Sequence, residues 1–534
     1  MTEAGTTSSP AAAGTDATLN ELPLLRRERI WGFWGYSSVN VGLAIATWAF
    51  LQGGAVAYYV GAKPAIAGIV IGYGISVLLV SLAPCIPSGR YGIEQFVLLR
   101  SVFGEGGSRL LMVVMSALLA AAWSSVLAIM CGHAIANVSN EVLGTHIGHG
   151  GIIVSVIALA VVVASWLALA RGPVSIEWVN KFVAPGLVLV TVGMLALVLS
   201  HTGWPELSAK PPLAPEGHDG LQNFMLAVEL NIAGGFAWWP NVGNLARLAR
   251  STRAAFWPNA LGLFLASVVA AVVGVFAALT LSSEDPTVWM VPLAGAAVGV
   301  VALAFVGFAN VTSIVSQGYA SMVALKGSGG RLLRKVPWAV LAAGILSPAA
   351  VVVFFPAAVY DNYARFVSWG AILVAPLCAV QIVDFFVLRR GRLRVRDLYL
   401  PSRTSCYGFW RGYNPVAFTA VAAGAVTYAL LLDPVTYEPA PAFRYLTASL
   451  PSFAIAGVLH YVLTLAWVRR RGLGGYREGG GKAREAAVNA AVGPVGSEGS
   501  DGSDGSDRSD GSDGSDGSDG SDGSDGSRPQ SAPR

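Results

Sequence analysis

Long apolar stretches alternate with short polar ones along most of this chain. A helix crossing the roughly 30 Å hydrocarbon layer needs about 20 predominantly apolar residues. The ranges 31–59, 66–88, 108–137, 150–171, 178–200, 221–246, 257–281, 292–325, 336–358, 363–388, 415–432 and 445–468 meet that need. Their pattern predicts an all-α membrane protein of twelve transmembrane helices. Several ranges exceed the minimum and have room to tilt or break.

The basic residues test the count, because cytoplasmic loops collect Lys and Arg. With the N-terminus inside, all but four of the 35 Lys and Arg fall on the cytoplasmic side, the exceptions being Lys63, Lys210, Arg365 and Arg444. Adding or removing one helix would invert every later loop. Both termini are therefore expected in the cytoplasm, with the chain in the cell (inner or plasma) membrane.

Composition agrees. Hydrophobic residues make up 54% and charged residues 12%, half the roughly 25% charge of soluble domains. Residues 1–25 are polar and small, lack a basic patch before a short apolar core, and read as a disordered cytoplasmic tail rather than a cleavable signal. Residues 26–470 form the helical domain. Residues 471–534, nearly a Gly-Ser-Asp repeat from Gly499 to Ser527, have almost nothing to bury and are expected to stay disordered. Cys85, Cys131, Cys378 and Cys406 have neither metal-ligand nor disulfide spacing and read as small buried side chains. Nothing in the charge pattern calls for nucleic acid, and nothing sets an oligomeric state.

Two spans carry similar interruptions. The first holds Ala46-Thr47-Trp48-Ala49-Phe50-Leu51-Gln52-Gly53-Gly54. The sixth holds Asn231-Ile232-Ala233-Gly234-Gly235-Phe236-Ala237-Trp238-Trp239-Pro240-Asn241. Glycine tolerates unusual backbone angles, and Pro240 removes a donor. A Gly-Gly step in each, five helices apart, predicts two inverted five-helix repeats with broken helices at the Gly-Gly steps and two further helices at the end. Close helix packing is the competing use of such glycines.

An unwound span exposes carbonyls, and a hard cation takes oxygen ligands. Thr312 and Ser313 set two hydroxyls side by side in the eighth span, and carbonyls of Ala46 and Ala49 would complete a shell. Ser and Thr hydroxyls also bond back to their own helix. A flat ring needs aromatic faces and amide groups at its rim. Trp123 in the third span and Phe236, Trp238 and Trp239 around the second break supply faces, Gly235 backbone, and Gln52, Asn241, Asn310 and Gln317 rim contacts. Glu229 is the acidic residue deepest in a span and a candidate proton carrier. Asp384, beside Arg389 and Arg390, reads as an anchor of a helix end. The six histidines are scattered and no catalytic constellation recurs, so no enzyme is expected and no cofactor beyond a coupling ion, Na⁺ or H⁺.

Four stretches resemble the nucleobase:cation symporter-1 family, which includes cytosine, allantoin and uracil permeases and hydantoin transporters. They are Arg90-Tyr91-Gly92-Ile93 with Leu98 to Gly104; Gly243-Asn244-Leu245-Ala246-Arg247; Pro376 to Asp384-Phe385-Phe386 with Asp397-Leu398-Tyr399; and Tyr407 with Gly412-Tyr413-Asn414-Pro415 and Ala417. The resemblance implies a LeuT-type five-plus-five inverted repeat plus two C-terminal helices. It implies substrate between the first, third, sixth and eighth helices, with stacking by Trp123 and by Phe236 or Trp238. Ala309, Thr312 and Ser313 match the family's sodium-site spacing. Asn244 stands where the family usually has Asp, while Leu127 and Gly318 replace amides found in some members. The expected function is symport of a nucleobase-like compound with Na⁺ or H⁺. The rival is a carrier of the same fold for an amino acid or other small organic solute.

Overall fold

In hydrocarbon every backbone N–H and C=O must be satisfied within the chain, and a helix does this locally. The Ala-, Val- and Leu-rich spans accordingly fold as helices. The computed structural model describes residues 22–170, 174–215, 219–329, 333 and 335–476, with side-chain surroundings described for all of these except 117, 118, 174–182 and 361. Among the described residues there is no strand beyond three isolated bridges.

The first span is α1 (Phe33–Ala44) and α2 (Thr47–Tyr59), bent by 53°. Then come α3 (Ala62–Tyr91), α4 (Gln95–Leu143), α5 (Ile152–Ala170) and α6 (Val174–His201). The sixth position holds α7 (Gly220–Phe236) and α8 (Trp239–Ala246). The rest are α9 (Thr252–Leu281), α10 (Pro286–Ser328), α11 (Trp338–Val352), α12 (Tyr363–Leu388), α13 (Pro415–Leu431) and α14 (Ser449–Val468). Among the described residues, 8 helices are long and apolar enough to cross a membrane and the bent α1–α2 pair makes 9. The shorter apolar α11 and α13 and the interrupted α7–α8 occupy the remaining positions, an order consistent with twelve spans.

Both predicted interruptions exist, but neither lies at a Gly-Gly step. The first is at Ile45 and Ala46, whose backbone is extended (φ −93°, ψ 92° and φ −141°, ψ 175°). The second is the turn at Ala237 and Trp238. Pro240 does not break a helix; it stands in the first turn of α8, where no intrahelical donor is needed. The glycines serve packing instead. A Cβ on Gly53 would sit 1.9 Å from the Ala271 carbonyl oxygen of α9, and one on Gly274 of α9 would sit 2.0 Å from the Phe50 carbonyl oxygen. In the same way a Cβ on Gly235 of α7 would reach Ser76 Oγ of α3 at 1.9 Å, and one on Gly72 of α3 would meet Val228 O and Asn231 Cβ at 2.6 Å.

These contacts carry the repeat. The first span packs on the seventh, and the sixth packs on the second, as a five-helix shift requires. A second pair of features obeys the same shift. Gly104 (φ 80°, ψ 173°) kinks the helical path between second and third spans, and Gly295 (φ 76°, ψ 163°) kinks it between seventh and eighth. Only glycine enters that backbone region at little cost.

Most of the two expected tails lies outside the described residues. At the boundaries, Leu24 is buried and donates its N–H to Gly92 O, while Tyr476 donates its hydroxyl to Asp384.

Candidate functional site

The break in the first span points Trp48 inward at the start of α2. There it meets Trp123 of α4 edge to face, with ring centroids 5.8 Å apart, and Trp238 of the second break at 5.1 Å. Phe366 of α12 packs on Trp123 at 5.0 Å and Tyr363 at 6.4 Å. Trp48, Trp123, Ala237, Trp238, Asn241 and Gln317 line a small cavity.

The wall carries unsatisfied polar atoms. Trp238 Nε1, a donor, and Asn241 Oδ1, an acceptor, are buried without a hydrogen-bond partner. Buried polar atoms are normally paired, so an unpaired donor and acceptor on one cavity wall describe the complement of a ligand edge. Gln317 adds an amide to that wall. No lining residue is ionisable.

Of the predicted substrate residues, the structure brings Trp123, Trp238, Asn241 and Gln317 together. Phe236, Gly235 and Gln52 stand behind the wall. Phe236 is buried in the apolar core, Gly235 packs on Ser76, and both ends of the Gln52 amide are occupied. Its Nε2 donates to Leu230 O (2.6 Å) and its Oε1 accepts from the Tyr363 hydroxyl (2.8 Å). Gln52 is thus a latch between α2, α7 and the start of α12. Trp239 also turns away, donating Nε1–H to Gln381 of α12. Trp48, Ala237 and Phe366 were not singled out in the sequence. Trp48 had a signal, as an aromatic one residue past the first break.

Asn310 is not a rim reader. Its Nδ2 donates to Thr47 Oγ1 (2.8 Å) and its Oδ1 accepts from Thr47 N (3.2 Å), so it secures the frayed start of α2. This sets the 309–313 segment of α10 against the break at Ala46. The Thr312 hydroxyl donates to Ala309 O (2.9 Å), the back-bond common in helices, whereas Ser313 Oγ is buried with no partner. The Ala46 carbonyl accepts from Ala49 N (3.0 Å) and keeps a second lone pair.

Glu229 is fully buried, but away from the cavity. Its carboxylate accepts from Ala448 N (3.1 Å), Ser449 N (3.0 Å) and Ser449 Oγ (2.6 Å), capping the start of α14, where the helix dipole favours negative charge. The expected proton carrier thus has a structural job. Asp384 behaves as expected of an anchor: Arg389 Nε donates to it at 2.6 Å and Tyr476 at 2.5 Å.

A polar knot closes the Arg-rich end below the cavity. Gln95 Nε2 donates to Trp239 O (2.9 Å) and its Oε1 accepts from Gly243 N (3.0 Å). Asn244 Oδ1 accepts from Gln95 N (2.9 Å) and its Nδ2 donates to Ala320 O (3.0 Å). That second bond needs a donor, so an amide fits here where a carboxylate would not. Beside it the Glu94 carboxylate caps Phe96 N and Val97 N at 2.8 Å. Burial raises its pKa to about 7, against the pull of those two N–H groups and of Arg247 and Arg100.

Comparison with known proteins fits this geometry. Residues 23–448 match the family described as permease for cytosine/purines, uracil, thiamine, allantoin. The hydantoin permease of Microbacterium maritypicum is 23% identical over 459 residues, 81% of this chain and 90% of the relative. The purine-uracil permease NCS1 of Arabidopsis thaliana is 23% identical over 438 residues, 76% of this chain and 69% of the relative. Among solved structures, Mhp1, a nucleobase-cation-symport-1 family transporter in a closed conformation with bromovinylhydantoin bound, superposes with a TM-score of 0.68 at 20% identity, covering 88% of this chain and 99% of that one. The LeuT-type fold is thereby shared, and the wall of tryptophans lies where its two broken spans meet. A multi-pass membrane transporter rather than an enzyme, this chain belongs to the cytosine/purine, uracil, thiamine and allantoin permease family.

Proposed function

We propose that this protein imports a neutral, planar N-heterocycle of the nucleobase or hydantoin type by symport with Na⁺, through alternating access, with both termini in the cytoplasm. The observation that carries the reading is the unpaired Trp238 Nε1 and Asn241 Oδ1 inside a box of three tryptophan faces. Such a ring offers flat faces for stacking and adjacent N–H and C=O groups at its rim. The absence of an ionisable side chain on the wall argues against an amino acid, whose charges would need partners.

Na⁺ is favoured over H⁺ as the coupling ion. Ser313 Oγ is buried without a partner three residues from Asn310, which bonds Thr47 next to the extended Ala46, and the Ala309 and Ala49 carbonyls and Thr312 hydroxyl lie on the same two segments. Oxygen ligands of this kind suit a hard monovalent cation. Glu229, the alternative proton carrier, is held by three donors. Each charge carried inward draws about 2.3 kcal/mol per 100 mV of membrane potential, enough to concentrate an uncharged base.

The test is uptake of radiolabelled cytosine, uracil, purines, hydantoins and allantoin into proteoliposomes, with and without an inward sodium gradient. Accumulation of one of these only with the gradient is expected. Equal accumulation with all ion gradients collapsed would rule out symport, and transport of amino acids alone would overturn the heterocycle reading.

A further inference from the structure

At the end of the bundle opposite the Arg-rich loops, three side chains from separate elements converge. They are His133 of α4, His149 of the 144–151 connection to α5, and Asp285 at the start of α10. Their ligand atoms all lie within 4.8 Å of one another. Asp285 Oδ2 is 3.6 Å from His133 Nδ1 and 3.9 Å from His149 Nδ1.

Hydrogen bonds on the outer side fix how these groups face each other. His133 Nε2 lies 3.2 Å from the His149 carbonyl oxygen, and His149 Nε2 lies 3.0 Å from Asn137 Oδ1. Asn137 Nδ2 donates to Thr287 O (2.9 Å), which settles its amide orientation and leaves Oδ1 turned to His149. Both imidazoles therefore meet acceptors at Nε2 and must carry their proton there. Both Nδ1 lone pairs are then bare and point at one carboxylate oxygen. Asp285 Oδ1 accepts from Thr287 N (2.8 Å) and Thr287 Oγ1 (2.7 Å), while Oδ2 faces the two imidazoles and the Tyr360 hydroxyl also neighbours this carboxylate. His133 Nδ1 is buried with no hydrogen-bond partner on a side chain only 3% exposed. Three lone-pair donors facing one point repel unless a metal ion, or a single proton on one ring, sits between them. Protonating both rings is a poor remedy, because they stack at 4.4 Å.

We propose that His133, His149 and Asp285 form a binding site for a borderline divalent transition-metal ion of the Zn²⁺ class. Two imidazole nitrogens and one carboxylate oxygen are a zinc-type donor set, with a fourth position left for water. Tetrahedral bonds near 2.0–2.1 Å place ligand atoms roughly 3.4 Å apart, a contraction of under about 1 Å for most pairs here. The carbonyl and amide behind each imidazole are the outer partners such sites use to hold ring and tautomer. The ion would join α4, the loop before α5 and the head of α10. The Tyr360 ring packs on His133 at 4.6 Å, three residues before Tyr363, whose hydroxyl holds Gln52 and whose ring packs on Trp123. Metal binding would brace the turn from which α12 closes over the cavity.

The test needs no transported substrate, so it stands apart from the heterocycle reading. Full-length protein purified in detergent and stripped with a chelator is titrated with ZnCl₂ by calorimetry, with Mg²⁺ as the hard-cation control. One Zn²⁺ per chain and no Mg²⁺ heat are expected. Loss of an outer partner alone weakens zinc sites by about 10–100-fold, so H149A should weaken binding by more than that. D285N, which keeps an amide able to cap α10, should weaken it at least about tenfold. H146A, the exposed histidine of the same loop, should bind as the parent does. Absence of Zn²⁺ binding by the parent, or parent-like affinity in H149A and D285N, would overturn the proposal.

Discussion

Trp123 has the largest consequence among single residues, because one ring touches Trp48, Tyr363 and Phe366 and also lines the cavity. Base-on-aromatic stacking is worth about 1–3 kcal/mol. W123A should therefore raise the half-saturation concentration for uptake by roughly 5- to 150-fold, with W123F intermediate, read in initial-rate uptake at saturating sodium. Unchanged affinity for a planar substrate in W123A would move the ring elsewhere. Glu94 acts through protonation instead. Its pKa rises from the ordinary 4.5 to about 7 in the fold, chiefly by burial. Between those values the folded chain holds a proton that the unfolded chain releases, so the carboxyl's contribution is full below about 4.5 and fades as pH climbs to about 7. E94Q cannot ionise. The midpoint of E94Q minus that of the parent should rise from about pH 5 to about pH 8 in thermal melts at one scan rate. A constant difference would place the carboxyl in ordinary contact with water.

At the scale of helices, the glycine pairs separate two uses of a missing Cβ. The sequence shows that the side chain is absent; it does not show whether the backbone needs the freedom or a neighbour needs the space. Gly53 and Gly235 belong to the second kind, inside unbroken turns against Ala271 and Ser76. The break at Ile45 and Ala46 left no mark because extended backbone is open to every residue. The order of the helical spans was legible because hydrophobic length is summed over many positions, and the described helices are consistent with the expected twelve. Gln52 and Glu229 were not, because an amide or carboxylate in a span looks the same whether it meets a ligand or another helix. G53A tests the packing account: its Cβ would meet backbone that cannot rotate away, and overpacking costs about 1–3 kcal/mol. A drop in thermal midpoint is expected for G53A, and none for G262A, where a Cβ meets nothing within 4 Å. Equal midpoints for the two would return Gly53 to the role of a hinge.

Across the whole molecule, the five-helix shift that pairs Gly104 with Gly295, and the first-to-seventh contact with the sixth-to-second, leaves two extended or turned segments facing each other at the centre. One side of that centre holds the tryptophan box. On the other, Asn310 of α10 is bonded to Thr47 beside the first break, which is where the proposed ion site of Ala46, Ala49, Ala309, Thr312 and Ser313 would lie. Trp48 sits two residues from Ala46, so under the proposed symport an ion bound at the extended segment would also set the angle of a cavity wall. Coupling in that proposal is reciprocal linkage: whatever the ion would add to substrate affinity, the substrate would add to ion affinity. Ser313 is the position at which to break this link, since its hydroxyl has no partner to lose. S313A should leave the fold intact and the substrate affinity at saturating sodium close to the parent's. The sodium concentration for half-maximal uptake should rise several-fold, about 3- to 30-fold if one ligand is worth roughly 0.7–2 kcal/mol. Parallel sodium titrations of uptake by parent and S313A measure it, and superimposable curves would place the coupling ion away from the first break.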